Sequence, residues 1–363
     1  MIRAFLSLII LTAIACGHIQ EFPISEKLVA SNLSQMGRTL IRDTDVILIS
    51  SSSGVEFFAK GDTLKIEAKV EGSTYNYLDI ALNDAYYKRI KIPLDTVITV
   101  KIPLLSEKLV RVGLFKATEA SIGDLVLRRV EAEQLDTIIP QRPLTIEYIG
   151  DSITCGMGAD TTEIPCGSSN WFDQHNAYLA YGPITARELN ADFILNSVSG
   201  MGMYRNWNDT TEPVMPDVYT NLRLNGDRSQ RWYANAISPD LISICLGTND
   251  FSDGDGIKDR PVFDQQKYVA TYIDFVQELI NVHPEVKIAL LTSPMIATES
   301  DKGILLLNSL KQVKSHFEDV TTISIFEFEG IQDPGGCGYH PDLTDHQKMA
   351  FQLLPFYKNL LDL

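Results

Sequence analysis

Hydrophobic and polar positions follow two different periods along this chain. In DTLKIEAKVEG, residues 62–72, Leu64, Ile66, Ala68 and Val70 share one face of an extended segment. YNYLDIAL, RIKIPL, VITVKIPL, KLVRVGLFKAT and GDLVLRRVEAE follow at short spacing, separated by Gly, Asn, Asp and Ser, and no helical period runs through them. Short strands with turn signals predict a β-sandwich over residues 26–135, most simply a jelly roll. DTIIPQRP, residues 136–143, reads as a linker. From Leu144 onward, strand-like runs (LTIEYIG, DFILNSV, LISICLG, VKIALLT, TTISIFEF) alternate with helical stretches. In residues 264–283, Tyr268, Val269, Tyr272, Ile273, Val276, Leu279 and Ile280 fall on one face at helical spacing. A final helix is expected to open with a capping box at Thr344–Gln347 and to bury Met349, Ala350, Leu353, Leu354 and Tyr357. Alternating β and α elements predict an α/β half with a parallel sheet covered on both faces.

In such a sheet the chemistry lies beyond the carboxyl ends of the strands. The first strand ends in Gly150-Asp151-Ser152, the second in the turn Ser199-Gly200-Met201-Gly202, and the third in Gly247-Thr248-Asn249-Asp250. After the fifth comes Gly335-Gly336-Cys337-Gly338-Tyr339-His340-Pro341. Each alone reads as turn chemistry. Together they bring a serine, a glycine-rich turn, an asparagine and a histidine to one rim, which is the set that acyl transfer needs: nucleophile, oxyanion donors and base.

Composition narrows the partners. A length of 363 residues fits two domains, and a net charge of −16 repels nucleic acid and suits a neutral glycan or ester. The opening MIRAFLSLIILTAIACG reads as a targeting signal over residues 1–16: Arg3, an apolar core from Ala4 to Ile14 too short to span a bilayer, and the small-x-small site Ala13-Ile14-Ala15 before Cys16. The expectation is an exported protein, periplasmic or on the outer membrane or cell surface, anchored by lipid at Cys16; the alternative is a plain secretory signal cut at the same bond. No later stretch reads as a transmembrane helix. The expected domains are a sandwich at 17–135 and an α/β half at 144–363. Cys245, inside an apolar run, reads as a small buried hydrophobe. Cys155, Cys166 and Cys337 supply one bridge, whose pairing the sequence leaves open. The cysteine spacing matches no zinc pattern, and DFSDGDGIKD, residues 250–259, does not match a calcium loop. No metal or organic cofactor is expected.

The strand-end blocks resemble the SGNH hydrolases, also called GDSL esterases, across residues 144–360: GDS carries Ser152, SGMG carries Gly200, GTND carries Asn249 and YHP carries His340. GDSITCGMG, SGMGMYRN, LGTND and HPDLTDHQKMA are similar to the two-domain acetyl esterases of carbohydrate esterase family two, which place a β-sandwich before the SGNH domain. The resemblance implies a flavodoxin-like SGNH hydrolase domain that removes acetyl groups from plant cell-wall polysaccharide or oligosaccharide of the xylan or glucomannan type. It also implies Ser152 as nucleophile, His340 as general base and acid, and the backbone N–H groups of Ser152 and Gly200 with the Asn249 amide as oxyanion donors. The alternatives are a lipid esterase or thioesterase on the same scaffold and a non-catalytic glycan-binding protein.

One position departs from the family pattern. An acid usually stands two or three residues before the histidine, where this chain has Gly338 and Cys337. Asp333, Asp342 and Asp345 are near in sequence, but the expectation is a Ser–His dyad with a backbone carbonyl holding the imidazole Nδ1–H. His346 competes as base, but it falls in the first turn of the final helix and reads as structural. His340 precedes Pro341, which keeps it on the loop. His175, His283 and His316 are expected to face solvent, and Asp151 and Asp250 to fix turns. Tyr204, Trp207 and Trp232 flank the motif loops and either stack on sugar rings or pack ordinarily.

Overall fold

The computed structural model describes residues 25–72, 74–210, 212–232 and 237–363. The expected signal segment and Cys16 lie outside the described residues. The first half contains β1 (Glu26–Val29), β2 (Ser34–Met36), β3 (Thr39–Arg42), β4 (Asp45–Leu48), β5 (Gly54–Glu71), β6 (Tyr75–Leu82), β7 (Ala85–Pro93), β8 (Ile98–Lys116), β9 (Asp124–Ala132) and β10 (Gln134–Asp136). They pair antiparallel in the order β3-β4-β9-β5-β8-β6-β7, with β1 on β9 and both β2 and β10 on β5. The result is the expected β-sandwich. Leu64, Ile66, Ala68 and Val70 are fully buried in its core with Val55, Phe57, Leu78, Ile80, Val112 and Leu114.

Two of the expected short strands prove to be one. VITVKIPL and KLVRVGLFKAT lie on the 19-residue β8, with Leu105 between them at a φ of 46°. The partner strand β5 shifts register on both sides of Gly61, which sits at a φ of 122°. These irregularities interrupt the alternation, so one bent strand reads as two.

The second half runs β11 (Leu144–Gly150), α1 (Tyr181–Glu188), β12 (Ala191–Ser197), α2 (Met215–Val218), β13 (Leu241–Cys245), α3 (Gln265–Val282), β14 (Lys287–Leu291), α4 (Asp301–His316), β15 (Ile323–Phe326) and α5 (Leu343–Leu361). The strands are parallel in the order β12-β11-β13-β14-β15, the flavodoxin-like arrangement. Alternation puts Ile242 and Ile244 into the core on one face of the sheet, and Leu241 and Cys245 into the core on the other. On α3 the expected face is buried except for Ile273, which is half-buried, and Phe275 joins it. The cap of α5 differs from expectation. The capping box is Asp342 with Asp345, not Thr344 with Gln347: the Asp342 carboxylate accepts from Asp345 N at 2.9 Å, and Asp345 accepts from Asp342 N at 3.3 Å. A carboxylate is well suited to a helix N-terminus, because it accepts the free N–H groups and meets the positive end of the dipole.

The chain leaves β11 for β12 on one side and then crosses to β13 on the other. That reversal opens a crevice above the carboxyl ends of β11 and β13. The sandwich packs against this half: Ile47, Ile49, Ala120 and Val126 belong to the same core cluster as Ile149 and Ile244.

Candidate active site

Ser152 stands two residues beyond β11, at the crevice. Gly150 permits the turn, since a Cβ there would lie 2.1 Å from Thr154 Oγ1. The backbone then coils: Cys155 N donates to Asp151 O at 3.0 Å and Met157 N to Ser152 O at 3.0 Å. Asp151 is fully buried and fixes the turn, as expected, by accepting from Ile153 N at 3.0 Å. Burial raises its carboxyl to about 7 despite that bond.

Gly200 lies in the turn after β12 at a φ of 80°, a conformation that glycine adopts without strain. The backbone N–H groups of Ser152 and Gly200 have no hydrogen-bond partner among the described residues. Asn249 follows β13 and is nearly buried. Its Nδ2 donates to Met201 O at 2.8 Å and to Asp151 Oδ2 at 3.2 Å, so it laces together the ends of β11, β12 and β13. Asp250 does structural work: its buried carboxylate accepts from the N–H groups of Met203, Tyr204 and Arg205 at distances between 2.8 and 3.2 Å. Burial raises its carboxyl to about 6 against the pull of those donors.

His340 arrives from the loop before α5. Its Nε2 lies 2.7 Å from Ser152 Oγ, and its Nδ1 lies 2.8 Å from the Gly338 carbonyl oxygen. A carbonyl only accepts, so Nδ1 carries the proton and Nε2 presents its lone pair to the serine hydroxyl. Gly338 and Tyr339 both take positive φ, 64° and 60°, and this double left-handed turn swings the Gly338 carbonyl back under the ring. Among the described residues the ring makes no hydrogen bond to Asp333, Asp342 or Asp345; the latter two cap α5. Burial lowers the His340 pKa below the ordinary histidine value, and the Gly338 carbonyl opposes the shift.

The two loops are joined. Cys337 N donates to Gly158 O at 3.0 Å, and Gly158 has no room for a side chain because a Cβ would meet Cys337 O at 2.5 Å. Cys337 also bonds Cys166 as a disulfide, which fixes the pairing the sequence left open; Cys155 and Cys245 are buried free thiols.

His346 is fully buried, and its Nδ1 accepts from Tyr181 N at 3.2 Å. Burial pushes its pKa down to about 3, which makes it a neutral structural group. His316 is exposed, as expected, but His283 is buried at the end of α3 and His175 is fully buried with Nε2 3.7 Å from Glu119 Oε2. Their polar sequence neighbours hid this. Tyr204 packs on Phe263 and Tyr268, and Trp232 stacks on the Arg38 guanidinium at 4.8 Å. Trp207 instead is half exposed and lines a cavity of about 410 Å³ with Ser199, Gly200 and Met201. Tyr339, just before His340, is 86% exposed and gives the rim a second open aromatic ring. Two sandwich residues that support the β12 end of this site escaped the sequence reading: Arg38, on Asn196, and Glu119, on Ser199.

The chain is similar to known proteins. The profile of the GDSL-like lipase/acylhydrolase family matches residues 148–321. Two proteins of Cellvibrio japonicus (strain Ueda107), each named acetylxylan esterase / glucomannan deacetylase, are similar to the chain. One is 27% identical over 360 residues, covering 96% of this chain and 95% of the relative. The other is 30% identical over 256 residues, covering 68% and 67%. A solved family two carbohydrate esterase from Clostridium thermocellum, in complex with cellohexaose, matches with a TM-score of 0.79 and 26% identity over 91% of this chain and 99% of that one.

Proposed function

This chain belongs to the GDSL-like lipase/acylhydrolase family, grouped with its family two carbohydrate esterases, and on that premise we propose that this carboxylic ester hydrolase removes acetyl groups from xylan- or glucomannan-type polysaccharide through a serine acyl-enzyme. The observation that carries the reading is the pair of contacts on one imidazole, Nε2 to Ser152 Oγ at 2.7 Å and Nδ1 to Gly338 O at 2.8 Å. His340 takes the serine proton as Oγ attacks the acetyl carbonyl carbon. The oxyanion is held by the Ser152 and Gly200 N–H groups, with the Asn249 amide turning from its present acceptors toward it. As the intermediate collapses, the bond between the acetyl carbon and the sugar oxygen breaks, and His340 Nε2–H protonates that oxygen, which leaves as a hydroxyl. Water, deprotonated by the same nitrogen, then releases acetate and frees Ser152. The Gly338 carbonyl holds the reactive tautomer without the charge a carboxylate would add.

The glycan part of the reading rests on the named relatives and on Trp207 and Tyr339, whose open rings flank the site as platforms for a sugar ring. The test compares wild type with Ser152→Ala on an aryl acetate, acetylated xylan, acetylated glucomannan and a long-chain ester. Ser152-dependent acetate release from the glycans is expected. Preference for the long acyl chain would move the enzyme to the lipid esterases, and glycan binding without Ser152-dependent turnover would make it a binding protein. We also propose export with lipid on Cys16; metabolic labelling with a fatty acid that is abolished by Cys16→Ser is the expected result, and an unlabelled secreted protein refutes it.

A further inference from the structure

Glu119 belongs to the sandwich, in the loop between β8 and β9, yet its carboxylate ends in the other half of the molecule. It is 1% exposed. It accepts from Ser199 N at 3.0 Å, from Ser199 Oγ, and from Ser121 Oγ at 2.5 Å. Its own carbonyl is held at 2.7 Å by the buried Lys116 Nζ, which also donates to Ile49 O at 2.7 Å. Burial opposes its charge, but the adjacent His175 imidazole and the Ser121 and Ser199 hydroxyls outweigh that and push the carboxyl down to about 2. A second sandwich residue grips the same segment upstream. Arg38, fully buried, donates to Asn196 Oδ1 at 2.5 Å, Tyr219 O at 2.6 Å and Asn221 O at 2.8 Å. The stretch from Asn196 to Ser199, which delivers Gly200, is therefore held at both ends by side chains from outside its own domain.

We propose that Glu119 is a positioning residue for catalysis: by binding both the N–H and the hydroxyl of Ser199, it pins the Val198–Ser199 peptide and the Ser199 side chain at the entry of the Val198–Met201 turn, so that the Gly200 N–H within that turn stays free and aimed at the developing oxyanion. Ser199 N–H is consumed by the carboxylate, and the next N–H along the chain has no partner among the described residues. Glycine cannot hold that orientation by itself, because its backbone is the most permissive of all residues. The sandwich is thus part of the catalytic apparatus. This inference rests on the reading of Ser152 as nucleophile and Gly200 as oxyanion donor.

The experiment uses the full chain and compares Glu119→Ala, Glu119→Gln, Ser199→Ala and Ser152→Ala for kcat and KM on an aryl acetate and for inhibition by an aryl trifluoromethyl ketone, which forms a tetrahedral adduct on a serine. Glu119→Ala is expected to lower kcat by about a hundredfold with KM within about twofold, and to weaken the ketone by a similar factor, as for loss of one oxyanion donor. Glu119→Gln, which keeps the shape and one acceptor oxygen, restores most of kcat. Ser199→Ala lowers kcat less, and adding it to Glu119→Ala costs little more. A folded Glu119→Ala with wild-type kcat, or a loss confined to KM with unchanged ketone affinity, overturns the proposal. If Glu119→Ala does not fold, Ser199→Ala decides it, and wild-type kcat and ketone affinity in that variant overturn it. An active Ser152→Ala would instead overturn the reading of the nucleophile.

Discussion

The two sides of the catalytic pair are built by opposite means. On the serine side, buried carboxylates hold the backbone: Asp151 takes Ile153 N, Asp250 takes three successive N–H groups, and Glu119 takes Ser199 N. On the histidine side, backbone holds a titrating side chain: Gly338 O takes His340 Nδ1, and the loop is secured by a left-handed turn, the contact to Gly158 and a disulfide. The carboxylates of the serine side are buried, whereas Gly338 and Tyr339 are exposed and His340 is half-buried. The difference teaches that buried carboxyl groups serve where geometry must be rigid and are left out behind the ring that moves a proton. A carboxylate behind His340 would stabilise imidazolium and raise its pKa, while a carbonyl orients the ring and leaves it readily deprotonated.

Four experiments break or sharpen this contrast. The largest effect comes from removing the pair itself: Ser152→Ala or His340→Ala is expected to lower kcat by about 10⁴-fold or more, and the double variant by little beyond either single one, because the two groups act as a unit. Clearly additive losses in aryl acetate turnover would show that they do not. Next is Asp250→Ala, which strips three backbone donors of their acceptor. Urea unfolding should show a loss of about 2–4 kcal/mol, with kcat falling more than KM changes; an unaffected kcat would deny that the serine side needs its carboxylates. Third, Cys166→Ser and Cys337→Ser should each destabilise by about 2–4 kcal/mol and lower kcat by less than the Asp250 change does, since Gly158 still holds the histidine loop. Loss of all activity on reduction would make the bridge, rather than the backbone contacts, the anchor.

The smallest effect is on pH dependence. His340 must be neutral to accept the serine proton, and its pKa is lowered, so kcat/KM should persist below the usual histidine range and fall only as pH drops through the depressed value. Gly338→Asp would put a Cβ 3.8 Å from His340 Nδ1. Its carboxylate should raise the histidine pKa and move the acid limb to higher pH, at some cost from the positive φ. An acid limb that does not move between the two proteins would contradict the account of the carbonyl.

The serine side was the more legible in sequence. β11 matches the predicted LTIEYIG run at both ends, and the residues that follow β11, β12 and β13 are those the period marks as strand ends. A local pattern suffices there, because a parallel strand buried on both faces stops where its apolar run stops. The supports behind those ends left no local trace. Glu119 meets Ser199 across 80 positions and Arg38 meets Asn196 across 158, and each sits among ordinary turn residues. His175 is misread for the same reason: polar neighbours say nothing of the sandwich that covers it. The cap stands at Asp342 rather than at Thr344 because the Asp342 carboxylate reaches Asp345 N, a contact that the sequence reading did not anticipate.

The disulfide carries a consequence for how the polypeptide reaches this state. Its cysteines are 171 positions apart, whereas Cys155 and Cys166 lie only 11 apart. In a disordered oxidising chain the short ring closes more readily, by about 2 kcal/mol on loop entropy alone, so the statistically favoured pair is the wrong one. Folding removes that rival. Once β11 and β12 assemble, Cys155 is enclosed behind the nucleophile with its sulfur on Ser197, and burial pushes its thiol well above the usual range, out of exchange chemistry. The sheet therefore proofreads the bridge: collapse first, correct oxidation second, and any agent that oxidises the chain before collapse traps it with the catalytic turn misbonded.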